Sequence, residues 1–187
     1  MKKGQKTNTS EIQRLVRASQ AGDRCAFDKL VRLYQRRATK VALRLSGDVN
    51  QAVEAVQQGF INAYLKIGKI KDPGRFEMWL LRIVTNAAIS QQRAAAARID
   101  NLEIVDDRQD NKTVSPVDNT VAGELKEAIQ KAMTKLSKKE AKAIALFGLE
   151  DLSQKQVAEI MGCSVAVVRW NVFSARKKLK VLLKEFL

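Results

Sequence analysis

Residues 153–179 constrain this chain more tightly than any other stretch, because their punctuation admits two short helices and a sharp turn. Ser153 followed by Gln156 has capping-box spacing and opens the first helix, whose apolar side is Val157, Ala158, Ile160 and Met161. Gly162-Cys163-Ser164 then stops that helix, and Ser164 is placed to cap a second one running to Leu179. Two short helices meeting steeply, the second one basic, form the arrangement that presents side chains to a DNA major groove.

On a grid of about 100° per residue the second helix separates into two stripes. Val168, Val172, Ala175, Leu179, Leu182 and Phe186 share an apolar stripe expected to pack on the domain. Arg169, Phe173, Arg176 and Lys180 fall roughly 100° away and are expected to face a polyanion. A merely solvated basic face is the alternative for the second stripe. The capped helix and Gly turn before it favour DNA.

Composition extends the helical reading to the whole chain. Only two prolines and nine glycines interrupt 187 residues, and 45% of the residues are hydrophobic, enough to build cores. An all-α chain of two small helical domains is therefore expected. Four helices are predicted at 10–20, 24–45, 48–65 and 75–98, with Asp48 capping the third and Asp72-Pro73-Gly74 turning the chain before the fourth. A helix over 121–135 and another opened by the Ser137–Glu140 capping box precede the helix–turn–helix unit. The domains are expected at 8–98 and 121–187. Between them, 99–120 carries Asp100, Glu103, Asp106, Asp107, Asp110 and Asp118 against Arg108 and Lys112, and reads as an acidic linker. It is either a solvated spacer or a strand that competes with nucleic acid for a basic channel.

A net charge of +14 favours an anionic partner. The chain has no histidine, and Cys25 and Cys163 are lone thiols without metal-ligand spacing. No phosphate-binding Gly loop is present, so no catalytic residue, cofactor or metal is expected. A buried structural thiol is the favoured reading of Cys163, with redox sensing the alternative. No apolar run of membrane-spanning length occurs, and Met1-Lys2-Lys3-Gly4-Gln5-Lys6 leads into polar residues rather than a signal-peptide core. No membrane insertion and a cytoplasmic location are the expectations.

The helix at 75–98 carries a second nucleic-acid signature. Phe76, Leu80, Ile83, Val84 and Ala87 form its core side, while Arg75, Trp79, Arg82, Asn86 and Arg93 fall within about 60° of one another elsewhere. Cations attract phosphates, a ring stacks on a base, and an amide hydrogen-bonds a base edge, so this strip suits a single strand. On spacing alone, a core or core-edge residue is the favoured reading of Trp79, since buried aromatics outnumber binding platforms. An unpaired-base site beside a duplex reader suggests a protein that opens promoter DNA.

The residues resemble a known family. Ala21-Gly22-Asp23-Arg24-Cys25-Ala26-Phe27-Asp28-Lys29-Leu30-Val31-Arg32-Leu33-Tyr34 resembles the opening of bacterial sigma-70-family factors of the extracytoplasmic-function group. Glu54-Ala55-Val56-Gln57-Gln58-Gly59-Phe60, then Phe76-Glu77-Met78-Trp79-Leu80-Leu81-Arg82-Ile83-Val84-Thr85-Asn86, continue the match, and the helix–turn–helix unit completes it. The resemblance implies a four-helix sigma-2-like domain and a helix–turn–helix sigma-4-like domain. It implies that Glu54, Gln57, Gln58 and Phe60 dock on the clamp helices of the largest polymerase subunit, and that the second-largest subunit's flap is a further contact. It implies a loop over 67–75, including Ile70, that captures a flipped base of the −10 element, with Arg75, Trp79, Arg82, Ile83, Asn86 and Arg93 around it. Arg169, Trp170, Asn171, Phe173, Ser174, Arg176, Lys177 and Lys180 fall where the family reads the −35 element and its phosphates. The linker resembles the segment threaded through polymerase channels, and an anti-sigma factor is an implied partner.

Departures accompany the match. Gln51 and Gln58 stand where acids are frequent, Gly59 interrupts a helix at a cost of about 1 kcal/mol relative to Ala, and Ala94-Ala95-Ala96-Ala97 replaces a usually basic helix end. Trp170 and Asn171 occupy positions that are commonly small or basic, so an unusual −35 preference is expected at Trp170, Asn171 and Ser174. Two other functions fit parts of the chain: a stand-alone helix–turn–helix regulator, and a degenerate sigma-like protein that titrates a regulator.

Overall fold

The computed structural model describes residues 9–102, 121–148 and 152–186; the acidic stretch of the expected linker from Glu103 to Asp118 lies outside the described residues. Every regular element among the described residues is helical. Four helices form the N-terminal part: α1 (Thr9–Gln20), α2 (Arg24–Ser46), α3 (Val49–Lys66) and α4 (Phe76–Leu102). The C-terminal part comprises α5 (Val121–Thr134), α6 (Lys138–Phe147), α7 (Gln154–Met161) and α8 (Val165–Leu182).

Local chemistry places the boundaries. Asp23 and Asp48 accept hydrogen bonds from Ala26 N and Gln51 N at 3.0 and 2.8 Å, capping α2 and α3. Gly47, at φ 66°, ends α2 and donates to Leu43 O. Ser137 with Glu140, and Ser153 with Gln156, form complete capping boxes at α6 and α7. Gly162 ends α7 at φ 67°, Ser164 caps α8, and the two helices meet at 92°. The helix–turn–helix unit follows from that left-handed glycine between two serine caps.

Helices α2, α3 and α4 pack into a three-helix core, with α1 laid across α2. Tyr34, Phe76 and Trp79 form a ring-to-ring chain with centroids 5.4 and 6.0 Å apart. Gly59 is buried where α3 meets α4, and a Cβ there would stand 2.8 Å from Val84 Cγ2. Close helix approach, which only glycine permits at this point, explains the residue that helical propensity disfavours.

The apolar core runs without interruption from one part of the chain into the other. Polar contacts reinforce this join at two helix ends. Gln92 on α4 and Gln130 on α5 donate to Leu45 O and Ser46 O, at 2.9 and 3.1 Å, satisfying the last carbonyls of α2. Arg82 on α4 does the same for the last turn of α7. The Arg44 guanidinium of α2 lies against Gly148, just after α6.

Some expectations shift. The fourth helix begins at Phe76, because Pro73–Arg75 form a separate 3-10 turn, and it continues to Leu102, four residues into the expected linker. Leu182 and Phe186 are 47% and 40% exposed, so the buried apolar stripe of α8 stops at Leu179; beyond it the helix has run past the body it packs on. Ile83 and Ala87 are half-buried, and full burial on α4 passes instead to Leu81 and Ala88.

Candidate nucleic-acid interface

The loop between α3 and α4 is built by local hydrogen bonding. Ile67–Lys69 and Pro73–Arg75 form short 3-10 turns. Gln20 of α1 donates to Ile67 O and Ile70 O, at 3.0 and 2.9 Å, and Asp72 accepts from Gly74 N at 2.9 Å. Beside this loop lies a cleft of about 380 Å³, lined by Lys69, Ile70, Lys71, Asp72, Arg75, Met78, Trp79, Arg82 and Glu159. Trp79 is half-buried, packed against Phe76 and the core while the residue also lines the cleft. Ile70 is buried and lines the cleft wall.

Arg75, Arg82, Asn86 and Arg93 are exposed on α4 or just before it, and Ile83 is half-buried beside them. Three of them meet the C-terminal part. Arg75 Nη1 lies 3.4 Å from the Glu159 carboxylate, Arg82 hydrogen-bonds the Glu159 and Ile160 carbonyls, and Asn86 Oδ1 accepts from Lys142 Nζ. Burial, then the nearby charges of Arg82 and Lys138, push the Lys142 ammonium below its usual pKa.

Helix α8 presents Arg169, Trp170, Phe173, Arg176, Lys177 and Lys180 to solvent. Trp170 and Phe173 are 65% and 62% exposed, with ring centroids 6.3 Å apart. Arg169 Nε donates to Gln154 Oε1 at 2.9 Å, and the Arg176 guanidinium sits 5.3 Å from the Phe147 ring centroid. Trp170, Phe173 and Lys177 also border a groove of about 580 Å³ with Lys135, Val181 and Leu182.

Three expected site residues sit otherwise than the sequence suggests. Asn171 is buried and its amide donates to Val167 O at 2.7 Å; one residue past an outward position, the helical rotation turns it into the core. Phe60 is buried on the inner side of α3, away from Glu54, Gln57 and Gln58 on the outer one. Ser174 is half-buried and donates to Glu140 Oε1 at 2.6 Å.

Glu140 itself had been legible only as a capping residue. It is 5% exposed and accepts from Ser137 N, Ser174 Oγ and Lys178 Nζ, binding the start of α6 to the middle of α8. Burial pushes its carboxyl up, but the hydrogen bonds from Lys178, Ser174 and Ser137 outweigh it and hold the pKa at about 2. Sequence reading also passed over Val53, Ile61 and Leu65, which are 48%, 54% and 73% exposed on α3. With Glu54, Gln57 and Gln58 they span about 140° of that helix, a signal the angular grid contains. No group of three potential metal ligands occurs among the described residues.

Comparison with known proteins places this geometry in a family. Residues 30–98 match Sigma-70 region 2, and residues 126–179 match Sigma-70, region 4. The ECF RNA polymerase sigma-E factor of Haemophilus influenzae is 32% identical over 176 residues, covering 90% of this chain and 93% of that relative. This chain belongs to the extracytoplasmic-function sigma factors. The RNA polymerase sigma-H factor of Pseudomonas aeruginosa is 30% identical to the sigma factor described here, over 92% of this chain and 96% of that one. Among solved structures, the sigma factor RpoE in complex with the anti-sigma factor NepR from Bartonella quintana superposes with a TM-score of 0.57 at 25% identity, covering 84% of this chain and 96% of that one. CnrH, in complex with the cytosolic domain of CnrY, gives 0.65 at 23% identity over 94% and 98%, a likeness of fold. Among the described residues no single helix is long and apolar enough to cross a membrane.

Proposed function

We propose that this sigma factor binds core RNA polymerase and directs it to promoters through two DNA sites, a −35 duplex reader on α8 and a −10 single-strand site at the α3–α4 loop and α4. The observation that carries this reading is the steep α7–α8 pair with an uncovered row of Arg169, Trp170, Phe173 and Arg176. Guanidinium groups suit phosphates or a guanine edge, and the ring pair suits thymine methyl groups. The cleft bounded by Lys69, Lys71, Arg75 and Trp79 offers cations and a ring to an unpaired base. The outer face of α3, with Val53, Glu54, Gln57, Gln58, Ile61 and Leu65, supplies the apolar and polar surface that core docking requires.

Chemistry stays with the polymerase in this reading, and the protein acts where the polymerase does, in the cytoplasm. An anti-sigma factor belongs among its partners; the similar RpoE chain was solved bound to one. Run-off transcription from a promoter library with purified core polymerase tests the function. Sequence-selective initiation that depends on this protein is expected, whereas duplex binding without any selective initiation would favour a stand-alone regulator. Asn86→Ala is expected to slow promoter opening while leaving −35 duplex binding within about twofold, because Asn86 is on α4 and not on the recognition helix. Equal loss of both would remove the base-pocket role.

A further inference from the structure

A third face of the molecule carries charge that neither proposed DNA site uses. Between Lys29 and Ser46, helix α2 holds six cations and no acid. Two of them have partners: Arg37 pairs with Glu77 of α4, and the Arg44 guanidinium lies against Gly148. The side chains of the other four, Lys29, Arg32, Arg36 and Lys40, are exposed and make no hydrogen bond or ion pair among the described residues. On the helical grid they fall within about 80° of one another, opposite the buried Leu30, Tyr34, Ala38 and Val41. No residue of α2 borders the cleft beside α4 or the groove on α8. Packing does not explain the stripe. Arg32, Arg36 and Lys40 follow one another at four-residue spacing, where like charges repel and weaken a helix. A glutamate at any one of these positions would turn that repulsion into attraction, yet all three are cations.

We propose that the outer face of α2 is a third nucleic-acid site, a track that holds the sugar–phosphate backbone of a strand without regard to its sequence. The track stands independently of the −10 and −35 assignments. Four residues of helix advance about 6 Å, a step comparable to that between successive phosphates of one strand, so Arg32, Arg36 and Lys40 meet phosphates in turn. Guanidinium groups fork onto phosphate oxygens, and an ammonium pairs with them as a point charge. The four side chains include no ring for stacking on a base and no acceptor for a base edge, so their contacts give affinity rather than selectivity. A protein partner fits this face less well. Protein interfaces centre on apolar side chains and are depleted of charge there, whereas here Leu33 and Leu43, 42% and 37% exposed, flank a charged centre. Binding at α2 therefore adds a non-selective grip on nucleic acid, on a face apart from both selective sites.

The test compares full-length chains by fluorescence anisotropy with a mixed-sequence single strand of DNA, across a salt series. The stripe variant is Arg32→Gln, Arg36→Gln, Lys40→Gln. Its control, Arg24→Gln, Lys131→Gln, Lys139→Gln, loses the same charge from exposed positions off the stripe. The stripe variant is expected to bind about tenfold more weakly at low salt, with a log–log salt slope shallower by about two, while the control stays within about twofold of the unaltered chain. Equal losses in the two variants would make the effect one of net charge and overturn the track, as would no loss in either. Retained DNA binding with lost binding of polyglutamate would give the stripe to an acidic protein instead. Because the substitutions relieve repulsion, the stripe variant is expected to unfold at the same or a higher urea concentration than the unaltered chain. The charge-retaining variant Arg32→Lys, Arg36→Lys is expected to keep the salt slope, and its loss there would also overturn the phosphate contacts.

Discussion

The Arg82 side chain of α4 spans the domain boundary to hold two successive carbonyls, those of Glu159 and Ile160, in the last turn of α7. Carbonyls of a last helical turn lack i+4 donors within the helix, and Glu159 O accepts from both the guanidinium and Gly162 N, the latter at 3.2 Å, so one forked side chain serves two helix-end acceptors at once. The residue expected to meet DNA is thus also the residue that joins the two domains. Gln130 mirrors it from the other side by donating to the end of α2.

Because a fork is needed for both carbonyls, Arg82→Lys is expected to loosen the domain contact while preserving charge at the −10 strip. The expected loss in domain association is about 1 kcal/mol, since the guanidinium is exposed. Energy transfer between dyes on the two domains measures it. Arg82→Ala is expected to loosen the contact as well, and also to weaken strand binding in the polymerase complex. Identical behaviour of the two variants in that complex would remove Arg82 from the phosphate contacts.

Arg169 is exposed on α8 and oriented by Gln154. Arg169→Ala is expected to weaken −35 duplex binding by about 1–3 kcal/mol and to relax selectivity at one base position. A competition assay against single-base operator variants checks this. A uniform loss across all sequences, with a shallower salt dependence, would make Arg169 a phosphate contact.

Glu140 predicts acid sensitivity. Its folded-state pKa of about 2 lies below the ordinary 4.5, so the carboxylate stabilises the fold above the higher value and loses that contribution as pH falls from about 4.5 toward 2. The amount is roughly 3 kcal/mol when complete. Urea unfolding across that interval is expected to show the decline, and Glu140→Gln is expected to be less stable at neutral pH and to flatten it. An unchanged slope in the variant would assign the acid sensitivity to other carboxylates.

Gly59→Ala is expected to destabilise the N-terminal domain by about 1–2 kcal/mol, despite a propensity gain of about 1 kcal/mol. The new methyl would meet Val84 Cγ2 at 2.8 Å in a closed helix contact. Equilibrium unfolding decides the sign, and a more stable variant would mean that α3 and α4 separate freely at this point.

Much of this protein follows from local chemistry, and for that reason was legible in its sequence. A serine or aspartate cap depends on residues three positions away, and a left-handed glycine on its own backbone, so Asp48, Ser137, Ser153, Gly162 and Ser164 announced the helix ends directly. Helical rotation likewise exposed the row of Arg169, Phe173, Arg176 and Lys180. The inward turn of Asn171 and Phe60 depended on which side of each helix found a packing partner, which no short window of sequence contains. Glu140 was a cap in sequence and became a tie to Ser174 and Lys178 only when α6 and α8 came together. The closure of α4 on α7 belonged wholly to tertiary structure. Arg82 and Ile160 are 78 residues apart, and a main-chain carbonyl, identical in every residue type, leaves no mark in a sequence.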